Sequence, residues 1–138
     1  MRSIAINRKA GGPAVKQVIE QGKERLASGL SLCIFPEGSR MPPGETRRYG
    51  VSGAALAKEA GCKIVPVAHN AGDFWPKRGL RKYPGKIRFC IGPPIDPTDL
   101  RAKDANLVAQ NWVESKMLEI SRIYKERLIA EDRGRGRQ

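Results

Sequence analysis

A short apolar run that stops at a proline constrains this chain more than any other feature. Residues 32–35 are rich in strand-forming side chains and carry no charge, which predicts a buried central strand. Pro36 ends that strand, because it has no N–H group for a sheet ladder. Four residues that can shape or bind a ligand follow at once: Glu37, Gly38, Ser39 and Arg40.

The position of these residues predicts a ligand site, because open α/β sheets bind ligands just beyond the carboxyl ends of their strands. The guanidinium of Arg40 can donate two parallel hydrogen bonds to a phosphate or carboxylate. Glu37 can hold that guanidinium in place or accept a hydroxyl proton. The alternative is a strand-to-loop corner closed by a Glu37–Arg40 ion pair that binds nothing, and the residues alone leave both interpretations open.

Residues 35–40, Phe-Pro-Glu-Gly-Ser-Arg, resemble the Phe-Pro-Glu-Gly-Thr/Ser-Arg block of the glycerolipid acyltransferases, the family of 1-acylglycerol-3-phosphate acyltransferases. Two further segments fit that family. Residues 6–8 resemble the end of its second block, with Asn7 in place of the usual aspartate, and residues 64–67 resemble its fourth block, an apolar strand with a Val-Pro pair. The resemblance covers residues 3–100.

This resemblance implies transfer of a fatty acyl group from acyl-CoA or acyl carrier protein to a lysophosphatidic acid-type phosphorylated acceptor. It implies no cofactor and no metal, since the thioester donor brings its own leaving group. By position, Arg8 and Arg40 become ligands of the acceptor phosphate. Glu37, Gly38 and Ser39 then shape the floor of the acceptor pocket.

The family's catalytic block, His-x-x-x-x-Asp, is absent from this sequence. It normally precedes the second block and supplies the general base. The single histidine, His69, is followed by Asp73 one residue too early, and the pair comes after the Phe-Pro-Glu-Gly block. We interpret His69 as structural and expect no catalytic residue here. The chain is then either an N-terminally shortened enzyme, which a strand directly after Met1 favours, or a non-catalytic module that binds anionic lipid or phosphate.

The charge balance predicts an anionic partner. Lysine and arginine total 26 against 14 acidic residues, for a formal charge of +12. Nucleic acid, an anionic bilayer and phosphorylated small molecules all suit that charge. We favour the last two over a nucleic-acid binder, because the Phe-Pro-Glu-Gly-Ser-Arg block has no use in one.

Residues 69–86 are predicted to be a loop in which aromatic and basic residues interleave. This composition suits the headgroup region of an anionic membrane, although single-stranded nucleic acid or a solvated connector over a sheet edge also fits. The candidate membrane-contact residues are Phe74, Trp75, Lys77, Arg78, Arg81 and Lys82. Since no stretch has the ~20 apolar residues needed to cross a bilayer, we expect peripheral association with the cytoplasmic face of the membrane.

The three cysteines lie in apolar segments without Cys-x-x-Cys spacing, which favours buried, reduced thiols and disfavours a zinc site. Periodicity predicts strands at 3–6, 32–35, 63–68 and 86–91, with Pro66 at an edge or bulge. Helices are predicted at 13–28, 50–60 and 106–129, the last covering the sheet. The expected fold is α/β, a mainly parallel sheet with flanking helices that is incomplete at its N-terminus. Residues 1–130 form one partial domain and 131–138 a disordered basic tail.

Overall fold

The computed structural model describes residue 4, residues 12–76 and residues 80–135. The elements of this part are listed in chain order: α1 Gly12–Ala27, α2 Ser52–Ala60, β1 Val67–His69, α3 Ala71–Phe74, β2 Phe89–Ile91, α4 Ala102–Ile120 and α5 Arg122–Arg135. Helix α2 packs between α1 and α4, while β1 and α5 both lie against α4.

The core forms where α2 meets its two neighbouring helices. Leu56 of α2 is 2% exposed, and a Cβ atom at Gly22 of α1 would overlap its side chain. Gly22 therefore lets the two helices approach closely. Ala54 and Ala57 of α2 are buried as well. The small residues of α2 thus allow close packing against the neighbouring helices.

The predicted helices at 13–28 and 50–60 are confirmed within two residues at each end. Helix α2 ends at Gly61, which adopts a left-handed conformation with φ of 64°. The next N–H group, that of Cys62, donates to the carbonyl of Ala57 at 3.0 Å. This closure of the last turn matches the glycine stop signal in the sequence.

The strands differ from the prediction. In the part of the chain that the structure describes, β1 and β2 form a two-stranded antiparallel sheet rather than a mainly parallel one, with Ala68 opposite Cys90. Pairing resumes as an isolated bridge between Ile64 and Ile95. Ile64 lies three positions before Val67, whereas its partner Ile95 lies four positions after Ile91. The extra residue makes a bulge next to Pro66, which the proline predicted.

Residues 32–35 do not form the predicted buried strand. Ile34 is 41% exposed and Phe35 is 69% exposed, and no described segment pairs with their backbone. A strand is stabilised only by its neighbours, and the strand predicted at 3–6 lies outside the described residues except for Ile4. Ile34 is nevertheless anchored, since its Cδ1 atom lies 3.2 Å from where a Cβ of Gly53 would be.

The cysteines also differ from the prediction in their burial. Cys33, in the same unpaired segment, is exposed instead of buried. Cys62 and Cys90 are partly buried, and all three are free thiols. The exposure of Cys33 has the same cause as that of Ile34, since no described segment pairs with this stretch.

The helix predicted at 106–129 is interrupted at Ser121. This residue is 2% exposed and has extended geometry, with φ of −108° and ψ of 118°. Its hydroxyl oxygen accepts the N–H of Tyr124 at 3.1 Å, which caps the start of α5. Helix α5 then continues to Arg135, so residues 131–135 are helical, not part of a disordered tail. Residues 136–138 lie outside the described part.

Candidate functional site

A tight turn positions the polar residues that follow residues 32–35. The N–H of Gly38 donates to the carbonyl of Phe35 at 3.0 Å, with Pro36 at the second position of the turn. Gly38 has a φ of 69°, a conformation that side chains disfavour. The N–H of Gly50 donates to the carbonyl of Pro36 at 2.8 Å and so fastens the turn near the start of α2.

Arg40 is held by a residue 35 positions further along the chain. Its Nη2 atom donates to the carbonyl oxygen of Trp75 at 2.6 Å, and its guanidinium carbon lies 5.8 Å from the centroid of the Trp75 ring. The structure thus joins two regions that the sequence suggested separately, the candidate phosphate ligand and the candidate membrane loop. Both side chains are exposed to solvent.

Glu37 does not hold Arg40, contrary to the prediction. No ion pair joins the two side chains, both of which the structure describes. Burial raises the pKa of the Tyr49 phenol well above its usual range, and the negative charge of Glu37 raises it further, followed by Glu114. The Tyr49 phenol therefore stays protonated, and no ion pair in the described part of the chain closes a Glu37–Arg40 corner.

The remaining acceptor-site candidates are only partly placed. The hydroxyl of Ser39 is exposed and approaches the sulfur of Met41 at 3.9 Å, a weak contact. Arg8 lies outside the described residues. The predicted convergence of Arg8 and Arg40 on one phosphate therefore stays a prediction.

The loop that contains Trp75 is closed at its base. The N–H of Tyr83 donates to the carbonyl of Phe74 at 2.9 Å, and the Phe74 ring packs so closely on Gly85 that a Cβ there would overlap it. This closure places the ammonium of Lys82 at 4.2 Å from the centroid of the Trp75 ring.

The candidate membrane residues on this loop are only partly described. Trp75 and Arg81 are exposed, and Leu80 is fully exposed. Lys77 and Arg78 lie outside the described residues.

A buried polar network, which the sequence pattern did not predict, supports the same loop. Asn70 is 5% exposed, and its amide nitrogen donates to the carbonyl of Ile120 at 2.9 Å. Its amide oxygen accepts the N–H of Arg88 at 2.7 Å. The Ser121 hydroxyl donates to Asp73 at 2.8 Å. The sequence carried one signal of this network: Ser121 is a polar residue among the apolar positions of the predicted helix.

His69 and Asp73 have different partners. The Nδ1 atom of His69 accepts the N–H of Ala71 at 3.3 Å, and its ring lies 5.3 Å from that of Phe89. Asp73 accepts the hydroxyl of Ser121 instead. No hydrogen bond links the two residues in the described part of the chain. This arrangement supports a structural role for His69 at the end of β1.

The described ranges contain neither a candidate metal site nor a candidate membrane-spanning helix. No group of histidine, cysteine and acidic side chains within them is placed to hold a metal ion. Among the helices between residues 12 and 135 that are described, none combines the length and apolar character needed to cross a bilayer. The Trp112 ring of α4 packs beside Gly92, as does Pro66.

Comparison with known proteins identifies similar sequences over most of the chain. A family model described as Acyltransferase matches residues 1–70. A 1-acyl-sn-glycerol-3-phosphate acyltransferase of Pseudomonas aeruginosa is 42% identical over 126 residues, covering 89% of this chain and 49% of that protein. The human 1-acyl-sn-glycerol-3-phosphate acyltransferase alpha is 28% identical over 120 residues, covering 86% of this chain and 42% of that protein.

A solved structure is also similar. The crystal structure of the 1-acyl-sn-glycerophosphate (LPA) acyltransferase PlsC from Thermotoga maritima superposes with a TM-score of 0.64 at 25% identity, covering 77% of this chain and 43% of that one. The chain therefore spans about half the length of the relatives it matches.

Proposed function

This chain belongs to the glycerolipid acyltransferase family, and from that premise we propose that it binds the acceptor in a 1-acyl-sn-glycerol-3-phosphate acyltransferase reaction. In that reaction the acceptor hydroxyl oxygen attacks the thioester carbonyl carbon of acyl-CoA or acyl carrier protein. The carbon–sulfur bond breaks, and the thiol leaves with the proton that the hydroxyl loses. The acceptor is a lysophosphatidic acid-type molecule, whose phosphate is the group that this chain recognises.

The exposed guanidinium of Arg40 is the observation that supports this proposal. A guanidinium has five N–H donors, and the structure commits one of its nitrogens to the Trp75 carbonyl. Within the described ranges, no carboxylate lies within ion-pair distance of Arg40. A phosphate can therefore take the remaining donors without displacing an ion pair. Glu37, Gly38 and Ser39 form the adjoining turn, and Arg8 is proposed as a second ligand on family grounds alone.

A second candidate function rests on the geometry of His69. Because His69 and Asp73 are each bonded to other groups, they do not form a His–Asp pair that could deprotonate the acceptor. Binding of anionic lipid or phosphate without catalysis is the function that then remains. Both candidates share the phosphate site and differ only in the chemistry that follows binding.

We further propose that the chain lies at the cytoplasmic face of the membrane as a peripheral protein. The exposed Trp75, Leu80 and Tyr83 interleave with exposed basic residues on one loop. Aromatic and basic side chains together suit an anionic headgroup region. The acceptor is itself a membrane lipid, so a surface loop next to Arg40 would bring its phosphate to the site.

Substituting Arg40 tests the phosphate site. Charge-assisted hydrogen bonds contribute about 1.5–3 kcal/mol each. Arg40→Ala is therefore expected to weaken the binding of a soluble lysophosphatidate analogue by roughly ten- to a hundredfold. Arg40→Lys is expected to recover only part of that affinity, because an ammonium cannot donate two parallel hydrogen bonds. Calorimetric titration of the folded variants measures both effects.

Arg122→Ala is the matched control, since Arg122 is an exposed arginine of α5 whose nearest described acidic partner is Glu126 at 3.7 Å. It removes the same charge and is expected to leave the affinity almost unchanged. Equal affinities for Arg40→Ala and the unaltered chain would show that Arg40 only braces the Trp75 loop, and the proposed phosphate site would then be abandoned.

A further inference from the structure

Two cationic side chains lie near the ring of Trp75 in this structure. The Trp75 ring centroid lies 4.2 Å from the ammonium of Lys82 and 5.8 Å from the guanidinium carbon of Arg40. The electron-rich face of an indole attracts a cation at such distances. Two like charges next to one ring repel each other, and in the described ranges neither has a carboxylate within ion-pair distance. An anion bound beside this ring would attract both cations and lessen that repulsion.

The loop that carries Lys82 is fixed at its base by contacts that do not involve Lys82. The hydrogen bond from Tyr83 to Phe74 spans 2.9 Å, and the Phe74 ring packs on Gly85. The loop begins at α3, where Asp73 is bonded to the buried Ser121 at 2.8 Å. These contacts hold the loop ends together, so the position of Lys82 over Trp75 follows from the fold of the loop.

We propose that Lys82 is a second phosphate-binding residue, held against the same Trp75 ring that Arg40 contacts. The ligand chemistry is a phosphate monoester dianion, whose two negative charges match the two cations. Arg40 supplies paired, directional hydrogen bonds, and Lys82 supplies a compact charge that tolerates several orientations of the phosphate. This inference rests on the proposed function, because it assigns a further residue to the same acceptor site.

The test compares a dianion with a monoanion of similar shape. Phosphate monoesters have a second pKa of about 6, so at pH 8 methyl phosphate carries two negative charges, whereas methyl sulfate carries one. Titrations at low salt follow the indole N–H signals of the 138-residue chain by NMR. The signal of Trp75 is expected to shift on binding, and that of Trp112, which packs beside Gly92, is the internal reference.

The variants are Lys82→Gln and Arg81→Gln, which remove one positive charge each from neighbouring positions of the loop. Lys82→Gln is expected to weaken methyl phosphate binding by roughly three- to tenfold and to reduce the preference for phosphate over sulfate. Arg81→Gln is expected to change the affinity less than about twofold, as an exposed charge without the Trp75 contact. Trp75→Phe, which keeps an aromatic ring, is expected to retain more affinity than Trp75→Leu.

Equal effects of Lys82→Gln and Arg81→Gln on methyl phosphate would overturn this inference. A loss for Lys82→Gln that appears only with phosphatidylglycerol vesicles would overturn it too, because Lys82 would then be a membrane contact. The proposed function fails separately. If Arg40→Ala leaves methyl phosphate binding unchanged, the proposed acceptor site itself is wrong. If Arg40→Ala weakens that binding and Lys82→Gln does not, only the role of Lys82 is wrong.

Discussion

At the scale of single residues, His69 and Asp73 show how local contacts decide what a sequence pattern can do. The imidazole Nδ1 of His69 accepts a backbone N–H, which places the proton of the neutral ring on Nε2. Asp73 is occupied by Ser121. An aspartate that orients a catalytic histidine must accept its ring N–H, and here the aspartate accepts a hydroxyl instead.

We therefore expect the 138-residue chain to show little or no acyl transfer. The loss of a general base lowers a rate by ~10²–10⁴-fold, and His69 is the sole histidine of the sequence. The measurement is steady-state transfer from a long-chain acyl-CoA to lysophosphatidic acid, with His69→Ala and the unaltered chain assayed side by side. A substantial rate that His69→Ala abolishes would make His69 and Asp73 the catalytic pair and reverse this interpretation.

The candidate site was predictable from the sequence only in part. The Phe-Pro-Glu-Gly-Ser-Arg block made Arg40 a candidate phosphate ligand, and the structure places its side chain in an exposed position after a turn. Its actual partner could not be predicted, because the contact with Trp75 spans 35 positions and depends on how α3 packs. The sequence instead favoured Glu37, the nearest carboxylate. Proximity along the chain was misleading, since the Arg40 guanidinium donates to the Trp75 carbonyl and, among the described residues, makes no ion pair with Glu37.

At the scale of elements, α1 and α2 were predicted more accurately than the strands. β1 and β2 overlap the predicted strands 63–68 and 86–91, but they pair antiparallel, and residues 32–35 pair with no described segment. A helix satisfies its backbone within one segment, so the apolar periodicity of residues 13–28 and the glycine after 50–60 sufficed to predict α1 and α2. A strand takes its hydrogen bonds from another segment, and the pattern of residues 32–35 cannot specify which one. The antiparallel pairing of β1 with β2 was unpredictable for the same reason, because alternating apolar residues do not determine whether two strands pair parallel or antiparallel.

Asn70 connects several of these elements, and its removal should lower stability. Its side chain bonds the carboxyl end of α4 through Ile120 and the strand region through Arg88, at 2.9 and 2.7 Å. Asn70 is 5% exposed, so Asn70→Ala removes partners from both groups at a largely buried position, at about 1–3 kcal/mol for each group left unsatisfied. We expect a decrease of about 2–4 kcal/mol in the free energy of unfolding, measured by urea denaturation monitored through circular dichroism.

Asn106→Ala is the matched control for this prediction. The Asn106 amide also bonds a backbone carbonyl, that of Gly50 at 2.9 Å, but it is exposed, so water can replace the lost partner. A change below about 1 kcal/mol is expected for this variant. If the two variants are equally stable, Asn70 does not connect the elements in the way its contacts suggest.

At the scale of the whole molecule, positive charge and exposed apolar surface occur together. The formal charge is +12, and residues 80–88 contain four basic residues and no acidic one. Trp75, Leu80 and Tyr83 in the same region are exposed. A single exposed apolar side chain is ordinary, but several of them interleaved with cations on one loop support the proposal that this surface binds anionic lipid.

This loop should therefore bind anionic vesicles through charge and interfacial aromatic contacts together. Each basic residue near an anionic surface contributes about 1 kcal/mol before salt screening, so co-sedimentation with phosphatidylglycerol vesicles is expected to fall as salt rises. It is also expected to fall for Trp75→Ala combined with Arg81→Glu. The charge control is Arg122→Glu on α5, which changes the net charge equally but lies outside the loop. Equal, salt-insensitive binding to neutral phosphatidylcholine vesicles, or an equal loss for Arg122→Glu, would show that this loop is not the membrane-binding surface.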